Sequence, residues 1–340
     1  MAFRIGILGA SGYTGVELLR LLAGHPALEV VHAGADSNAG NVVSDVAPGL
    51  AAAYGGLRFG SIDAASVDGL DLVFCCLPHG ASAPLVADML GRVGHVVDLG
   101  ADFRLRDPAA YPVWYGHEHP LPALLAEAAY GLPELFREPL RGARLVAAAG
   151  CYVTASSLAL APFVRAGAVE PTGAVVDAYS GVSGAGRAAK ANLHFCTVDE
   201  DLTAYGLITH RHTPEIEQAT GAQVLFTPHL APTSRGILAT VYARAAEPGF
   251  TSADALDLLA AAYADEPFVL VSERSPSTKA TLGSNVCQLT ARVDPRTGWV
   301  VAVAALDNLV KGASGQALQC ANLALGLDEA LGLPLAGLTP

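Results

Sequence analysis

Near its start the chain carries the stretch Phe3-Arg4-Ile5-Gly6-Ile7-Leu8-Gly9-Ala10-Ser11-Gly12-Tyr13-Thr14-Gly15. The apolar run over residues 3–8 predicts a buried strand, and residues 15–23 predict a helix that ends near Gly24. Glycines in the connecting turn let the backbone approach a pyrophosphate, and N–H groups at the start of the helix can bind it. We therefore predict that the whole turn binds a nucleotide cofactor, through Gly9, Ala10, Ser11, Gly12, Tyr13, Thr14 and Gly15. The alternative interpretation is a plain glycine-rich turn.

The first half of the chain alternates short apolar runs with helical patterns. After the strand at 3–8, the sequence predicts further strands over residues 28–33, 71–77, 94–99 and 144–149. Continuous apolar strands that alternate with helices indicate a parallel sheet covered on both faces. The chain is therefore predicted to be an α/β protein with an N-terminal, doubly wound parallel sheet.

The pattern changes beyond about Ala174, where strands follow one another with fewer helices between them. Strands are predicted over residues 174–179, 223–227, 236–244 and 299–306. This spacing indicates a mixed or antiparallel sheet that carries a substrate site. Two helices complete the pattern, one over 252–264 with Ser252 as its cap and one over 314–325. We expect the boundary between the two parts near Gly150.

Composition excludes several classes of protein. The formal net charge of −12 argues against nonspecific binding to nucleic acid or to an anionic membrane. The six cysteines show no metal-ligand spacing and no signal peptide is evident, so we expect no metal and a reducing, cytoplasmic compartment. Residues 145–164 carry no charge but contain Gly150 and Pro162, and they have more alanine than leucine. Residues 145–164 therefore predict a buried strand and helix rather than a membrane span.

Cys151 is the strongest catalytic candidate. It follows the apolar run 144–149 and precedes a predicted helix over 152–163, so its thiol lies at a strand-to-helix junction. Unpaired N–H groups and the helix dipole favour a thiolate at that position. With the nucleotide-binding turn, this suggests thioester chemistry coupled to hydride transfer, whereas the alternative is a buried small hydrophobic residue. The other cysteines are interpreted as packing residues: Cys75, Cys76, Cys196, Cys287 and Cys320.

The residues after the second strand leave the choice of cofactor open. Asp36 lies 21 residues after Gly15, where an acid can bind a ribose 2′-hydroxyl and so favours the unphosphorylated dinucleotide. Ser37 and Asn38 can instead hydrogen-bond a 2′-phosphate.

Two histidines and two arginines are further candidates. His210 and His212 flank Arg211 before a predicted helix, and alternate residues of an extended segment point the same way. Both imidazoles could therefore face one pocket, and the alternative is that Arg211 and one histidine only belong to the helix start. Arg104 follows a strand end and Arg235 lies in a turn between strands, where each could bind an oxyanion or form a surface ion pair.

Several long motifs occur in one order along the chain. They are Gly9 to Gly15 with Val16-Glu17-Leu18, Leu77-Pro78-His79-Gly80, Ala101-Asp102-Phe103-Arg104, Gly150-Cys151-Tyr152, Ser180 to Gly186, His210 to Glu217 and Asp307 to Gly312. This set closely resembles the N-acetyl-gamma-glutamyl-phosphate reductase family of arginine biosynthesis. The resemblance implies a Rossmann domain, a catalytic domain of the semialdehyde-dehydrogenase type, NADPH as reductant and a homodimer or homotetramer. It implies a dinucleotide-binding domain over 1–149, a catalytic and oligomerisation domain over 150–311, and a C-terminal segment, 312–340, that packs back on the first domain.

The resemblance also implies roles for individual residues. Cys151 is the expected nucleophile on the acyl phosphate, His212 the expected acid/base and His210 its neighbour, with exchanged roles left open. The remaining expected cofactor ligands are Ser37, Pro78, His79, Ser183, Gly184 and Asn308, and the expected substrate ligands are Arg104, Arg235 and Glu215.

Two departures from the family pattern are present. Ala149 and Val153 occupy positions that are usually proline, and Ala35-Asp36-Ser37 stands where the family often has serine and arginine. The nearest alternative functions are a sister reductase acting on an aminoadipyl or aspartyl phosphate, a noncatalytic nucleotide-sensing protein, and a cysteine acyl hydrolase.

Overall fold

The computed structural model describes residues 2–338, which form two compact units. The first unit contains the described residues through Pro112, together with His117–Ala149 and Ala313–Leu333. The second contains Val113–Gly116, Gly150–Gly312 and the described residues from Pro334 onward.

A parallel sheet forms the core of the first unit. Its strands are β1 (Phe3–Leu8), β2 (Leu28–Gly34), β3 (Leu72–Cys75), β4 (His95–Asp98), β5 (Ala129–Gly131) and β6 (Leu145–Ala148). They are ordered β2-β1-β3-β4-β6-β5, and every pairing is parallel. The strand order reverses direction at β1 and β3, which confirms the predicted doubly wound sheet and places its switch point where these two strands end.

Helices make up most of the remaining regular structure. In chain order they are α1 (Tyr13–Leu22), α2 (Val43–Val46), α3 (Ala51–Tyr54), α4 (Ser82–Met89), α5 (Ala110–Trp114), α6 (Pro122–Glu127), α7 (Pro133–Phe136), α8 (Cys151–Arg165), α9 (Phe195–Val198), α10 (His212–Thr220), α11 (Ser252–Ala262), α12 (Thr278–Thr281) and α13 (Gly315–Ala324). Short 3-10 turns lie at Pro48–Leu50, Ala65–Val67, Glu138–Leu140, Val182–Ala185 and Ala191–Leu193, and a π-helical turn lies at Val310–Ser314. Within the first unit, α13 packs against α1, β4, β5 and β6.

The second unit is built on a mixed sheet, as predicted. Its strands are β7 (Ala174–Gly181), β8 (Thr203–Ala204), β9 (Val224–Ala231), β10 (Ile237–Arg244), β11 (Val269–Val271), β12 (Cys287–Asp294) and β13 (Trp299–Leu306), in the order β11-β12-β13-β10-β7-β9-β8. β7 pairs in parallel with β9 and β11 with β12, whereas the other neighbours are antiparallel. Alternate residues of β7 and β10 are fully buried on one face. α8 contacts both of these strands.

Three sequence expectations can be compared with these elements. Residues 145–164 form β6 and most of the buried helix α8, as expected. No helix among the described residues is long and apolar enough to cross a membrane. The interpretation of Cys196 as a packing residue is wrong, because this residue of the short helix α9 is exposed; Cys75, Cys287 and Cys320 are buried and Cys76 is half-buried.

The predicted cap of α11 is also wrong by one residue. Thr251 is the N-cap: its hydroxyl accepts the Asp254 N–H and the Asp254 carboxylate accepts the Thr251 N–H, a reciprocal capping box. Ser252 is the first helical residue, and its hydroxyl instead accepts the N–H of Val293, 2.9 Å away.

Candidate active site

Cys151 is the first residue of α8. Gly150 precedes it as the N-cap in an extended conformation (φ −69°, ψ 150°), and no side chain caps the helix. The N–H groups of the first turn and the helix dipole therefore stabilise negative charge beside a partly exposed thiol. Ala149 and Val153, which stand where the family usually has proline, are both buried. The Ala149 N–H donates to the carbonyl of Gly131, a hydrogen bond that proline cannot make.

The His212 imidazole lies against Gly150. A Cβ at Gly150 would come within 2.8 Å of Cε1 and 2.9 Å of Cδ2 of that ring, closer than real Cβ atoms approach other atoms. Only glycine leaves space for the imidazole here. The first residue of α10 thus meets the residue that directly precedes Cys151, and the fold brings these two sequence candidates together.

His210 occupies a different environment. Its ring packs edge-on against the aromatic rings of His212, Tyr152, Tyr205 and Phe226, with centroids 4.8 to 5.9 Å apart. The backbone N–H of His212 donates to Nδ1 of His210 at 3.1 Å, so this ring nitrogen is an acceptor. Burial, assisted by the nearby positive charge of Arg211, lowers the pKa of His210 to about 4. His210 is therefore neutral at physiological pH.

Glu215 has a contact that differs from the predicted substrate binding. It lies on α10 three residues after His212, is 0% exposed, and accepts the Gly150 N–H at Oε1, 2.9 Å away. The carboxylate thus ties α10 to the turn that presents Cys151.

Gly312 is a contact of Cys151 that the sequence did not indicate. A Cβ at Gly312 would lie 2.8 Å from the Cβ of Cys151. The Gly312 N–H donates to the carbonyl of Asp307, within a π-helical turn of the kind that often marks functional sites. The motif from Asp307 to Gly312 therefore packs its glycine directly on the nucleophile candidate.

The other candidates in the second unit form one polar cluster. Asn308 accepts the Gly236 N–H at 2.7 Å through Oδ1 and donates to the Ser183 hydroxyl at 2.9 Å through Nδ2. Gly184 follows Ser183 in the turn at Val182–Ala185. The partly exposed Arg235 guanidinium contacts the buried Asp307 carboxylate at 3.4 Å. Asp307 and Asn308 therefore hold the turn at Val182–Ala185 and the loop that contains Arg235 in place.

In the first unit, the glycine-rich turn joins β1 to α1. Gly9 has φ +88°, a conformation that favours glycine, and a Cβ at Gly15 would lie 2.5 Å from the Cα of Ala10. The turn therefore presents bare backbone at the start of a helix, a cradle that fits the pyrophosphate of a dinucleotide.

The predicted ligands Pro78 and His79 lie in an exposed turn after β3, the neighbour of β1. Asp102 anchors this turn by accepting the N–H groups of Gly80 and Ser82. Both turns therefore lie at the switch point of the sheet. Ser37 is exposed after β2, whereas Arg104 is 6% exposed and donates from Nη2 to the carbonyl of Leu99.

Comparison with known proteins gives consistent results. The model of the semialdehyde dehydrogenase NAD binding domain matches residues 4–143, and that of the semialdehyde dehydrogenase dimerisation domain matches residues 151–308. Aspartate semialdehyde dehydrogenase II from Vibrio cholerae has a similar fold, with a TM-score of 0.71 over 96% of this chain and 99% of that chain at 17% identity. N-acetyl-gamma-glutamyl-phosphate reductases from Symbiobacterium thermophilum and Pseudomonas aeruginosa are 50% and 47% identical, each over 99% of both chains.

A nucleotide-binding parallel sheet, joined in one chain to a cysteine that starts a helix, defines an oxidoreductase of the semialdehyde dehydrogenase class. The relatives narrow this class further. The chain belongs to the N-acetyl-gamma-glutamyl-phosphate reductase family of arginine biosynthesis.

Proposed function

We propose that the chain reduces N-acetyl-gamma-glutamyl phosphate to N-acetylglutamate 5-semialdehyde and inorganic phosphate, with NADPH as reductant. The observation that carries this proposal is the placement of Cys151 at the start of α8 with the His212 ring packed on Gly150. A thiolate there is the nucleophile that an acyl phosphate requires. The full-length identity to reductases of this name supports the choice of substrate.

The chemistry divides into two steps at Cys151. The thiolate attacks the acyl-phosphate carbonyl, phosphate leaves with the bonding electron pair, and a thioester remains. The turn from Gly9 to Gly15 would hold NADPH, which when bound would supply a hydride for reduction of the thioester carbonyl. His212 protonates the resulting oxyanion and takes the proton back as the C–S bond breaks, which releases the aldehyde and regenerates the thiolate. His210, held neutral, orients the His212 segment through the bond to its N–H.

The anionic substrate needs positive charge. We propose Arg235 as its oxyanion ligand, since the guanidinium is 28% exposed and the Asp307 contact orients it. Arg104 is a second candidate, on the resemblance alone. The buried Glu215 carboxylate would repel an anion, so we propose that it positions the turn of Cys151 instead.

The role of Glu215 can be tested by two substitutions. Glu215→Ala is expected to lower kcat and to destabilise the protein by about 1–3 kcal/mol, because the buried Gly150 N–H loses its acceptor. Glu215→Gln keeps an acceptor oxygen and should retain most of both properties. Steady-state kinetics and thermal unfolding measure the two effects.

Glu217→Ala is the matched control, since Glu217 lies on the same helix and accepts the N–H of Val224 at 3.1 Å. It should lose stability while it keeps kcat. A Glu215→Gln variant with a raised KM and an unchanged kcat would identify Glu215 as a substrate ligand and contradict the positioning role.

We further propose a homodimer formed through the sheet of the second unit. On the face opposite the fully buried residues, Val301, Tyr242, Val175 and Leu225 are aligned across four neighbouring strands. Leu225 is 54% exposed, and the other three are partly exposed. An apolar row of this kind on an open sheet face suits burial against a second copy. The match to a dimerisation domain supports this assembly. A cysteine that works as a free thiolate also supports the cytoplasm as the compartment.

The substrate assignment is tested by the reverse reaction. With N-acetylglutamate semialdehyde and phosphate, we expect nucleotide reduction with NADP, and a much lower kcat/KM with aspartate semialdehyde. A preference for aspartate semialdehyde would favour the sister reductase. Turnover of the acyl phosphate without any nicotinamide would indicate a hydrolase.

A further inference from the structure

Arg58 is the only arginine or lysine between Arg20 and Arg92 in the sequence. The structure places it beside the loop that follows β2, where its Nη1 donates to the Gly40 carbonyl at 2.8 Å. The Gly40 N–H donates to the Phe59 carbonyl, the Phe59 N–H donates to the Asn41 carbonyl, and a bridge joins Val42 to Arg58, so the two segments are held together. Arg58 is exposed, and a guanidinium has five N–H donors, of which this contact uses one.

The loop beside Arg58 also carries Asp36 and Ser37, both exposed. It lies after the carboxyl end of β2, next to β1, where the ribose of a bound dinucleotide meets the protein in this fold. The negative charge of the Asp36 carboxylate repels a 2′-phosphate. A guanidinium is well matched to a phosphate in both charge and geometry.

We propose that Arg58 is the residue that selects a dinucleotide carrying a 2′-phosphate, by binding that phosphate and offsetting the charge of Asp36. This inference rests on the proposed function, which places the dinucleotide on the turn from Gly9 to Gly15. Neighbouring sequence does not reveal this role, because Arg58 lies 22 residues after Asp36 and approaches the loop only in the folded chain.

The test is equilibrium binding to the full-length protein by calorimetry. Arg58→Gln is expected to weaken the binding of NADPH and of 2′,5′-ADP about 10- to 100-fold, the range for a lost charge-assisted contact. The affinities for NADH and 5′-ADP should not change. The salt dependence of NADPH binding should fall as well. Arg141→Gln is the matched control, since it removes another exposed arginine of the first unit, and it should change none of these values.

Equal weakening of NADPH and NADH by Arg58→Gln would overturn the proposal and give Arg58 a structural role in the loop. Unchanged NADPH binding would overturn it as well, because another group must then bind the phosphate. If the unmodified protein itself binds NADH more tightly than NADPH, the proposed cofactor fails. If it prefers NADPH and the Arg58→Gln variant keeps the same ratio of NADPH to NADH affinity, only the role of Arg58 fails.

Discussion

Cys151→Ser is expected to lower kcat for the reduction of the acyl phosphate by about three orders of magnitude or more, as is typical when a covalent nucleophile is removed. A serine hydroxyl remains protonated near neutral pH, so the helix N-terminus has no anion to stabilise. NADPH should still bind, because its proposed contacts lie elsewhere in the chain. Steady-state kinetics and calorimetric binding of NADPH to the same preparation measure both quantities.

Cys196→Ser is the matched control for this experiment. Cys196 is exposed and belongs to the same unit, so its substitution should leave kcat unchanged. Iodoacetamide should label both Cys151 and Cys196 in the native protein, and substrate should protect only Cys151. Loss of NADPH binding in Cys151→Ser would point to a structural role for the thiol.

His212→Ala is expected to lower kcat by about 10²- to 10⁴-fold, the range for removal of a general acid/base. It should also change the pH dependence of kcat/KM, because the proposed acid/base is removed. The His212 imidazole packs on Gly150, next to the nucleophile, so the substitution removes the proposed proton carrier from the reacting atoms. The measurement is a pH profile of kcat/KM for the variant and the unmodified protein.

His210→Ala is the comparison variant. Because the pKa of His210 is lowered to about 4, its ring stays neutral as the pH rises above that value and does not titrate between pH 5 and 8. His210→Ala should therefore leave the shape of the pH profile between pH 5 and 8 unchanged and lose less activity than His212→Ala. A larger loss with His210→Ala would require that the two roles be exchanged.

The sequence predicted much of the fold because long elements carry their own pattern. The apolar runs of β1, β3 and β4 predicted the first sheet, and the succession of strands that include β7, β10 and β13 predicted the second. β5, β8 and β11 were missed because they contain only three, two and three residues. β12 was missed although its sequence alternates apolar residues with Gln288, Thr290 and Arg292. That pattern was present and could have identified the strand.

The candidate site was predictable in its chemistry and less so in its contacts. Cys151 and His212 belong to recognisable motifs, and each is the first residue of its helix. The bond from Gly150 to Glu215 joins residues 65 apart in the chain, and Gly312 packs on Cys151 from still farther along the sequence. The local pattern of apolar and polar residues in the sequence does not indicate such long-range contacts. The bond between the Glu215 carboxylate and the Gly150 N–H could therefore not be predicted from the sequence.

The proposed mechanism requires a thioester on Cys151, and a rapid-quench experiment without reductant can detect this intermediate. Mixing the protein with N-acetyl-gamma-glutamyl phosphate in the absence of NADPH should release a burst of one phosphate per active site. Mass spectrometry of the quenched protein should then locate one acyl group on the peptide that contains Cys151. A steady release without a burst, or an acyl group found on another residue, would exclude Cys151 as the nucleophile.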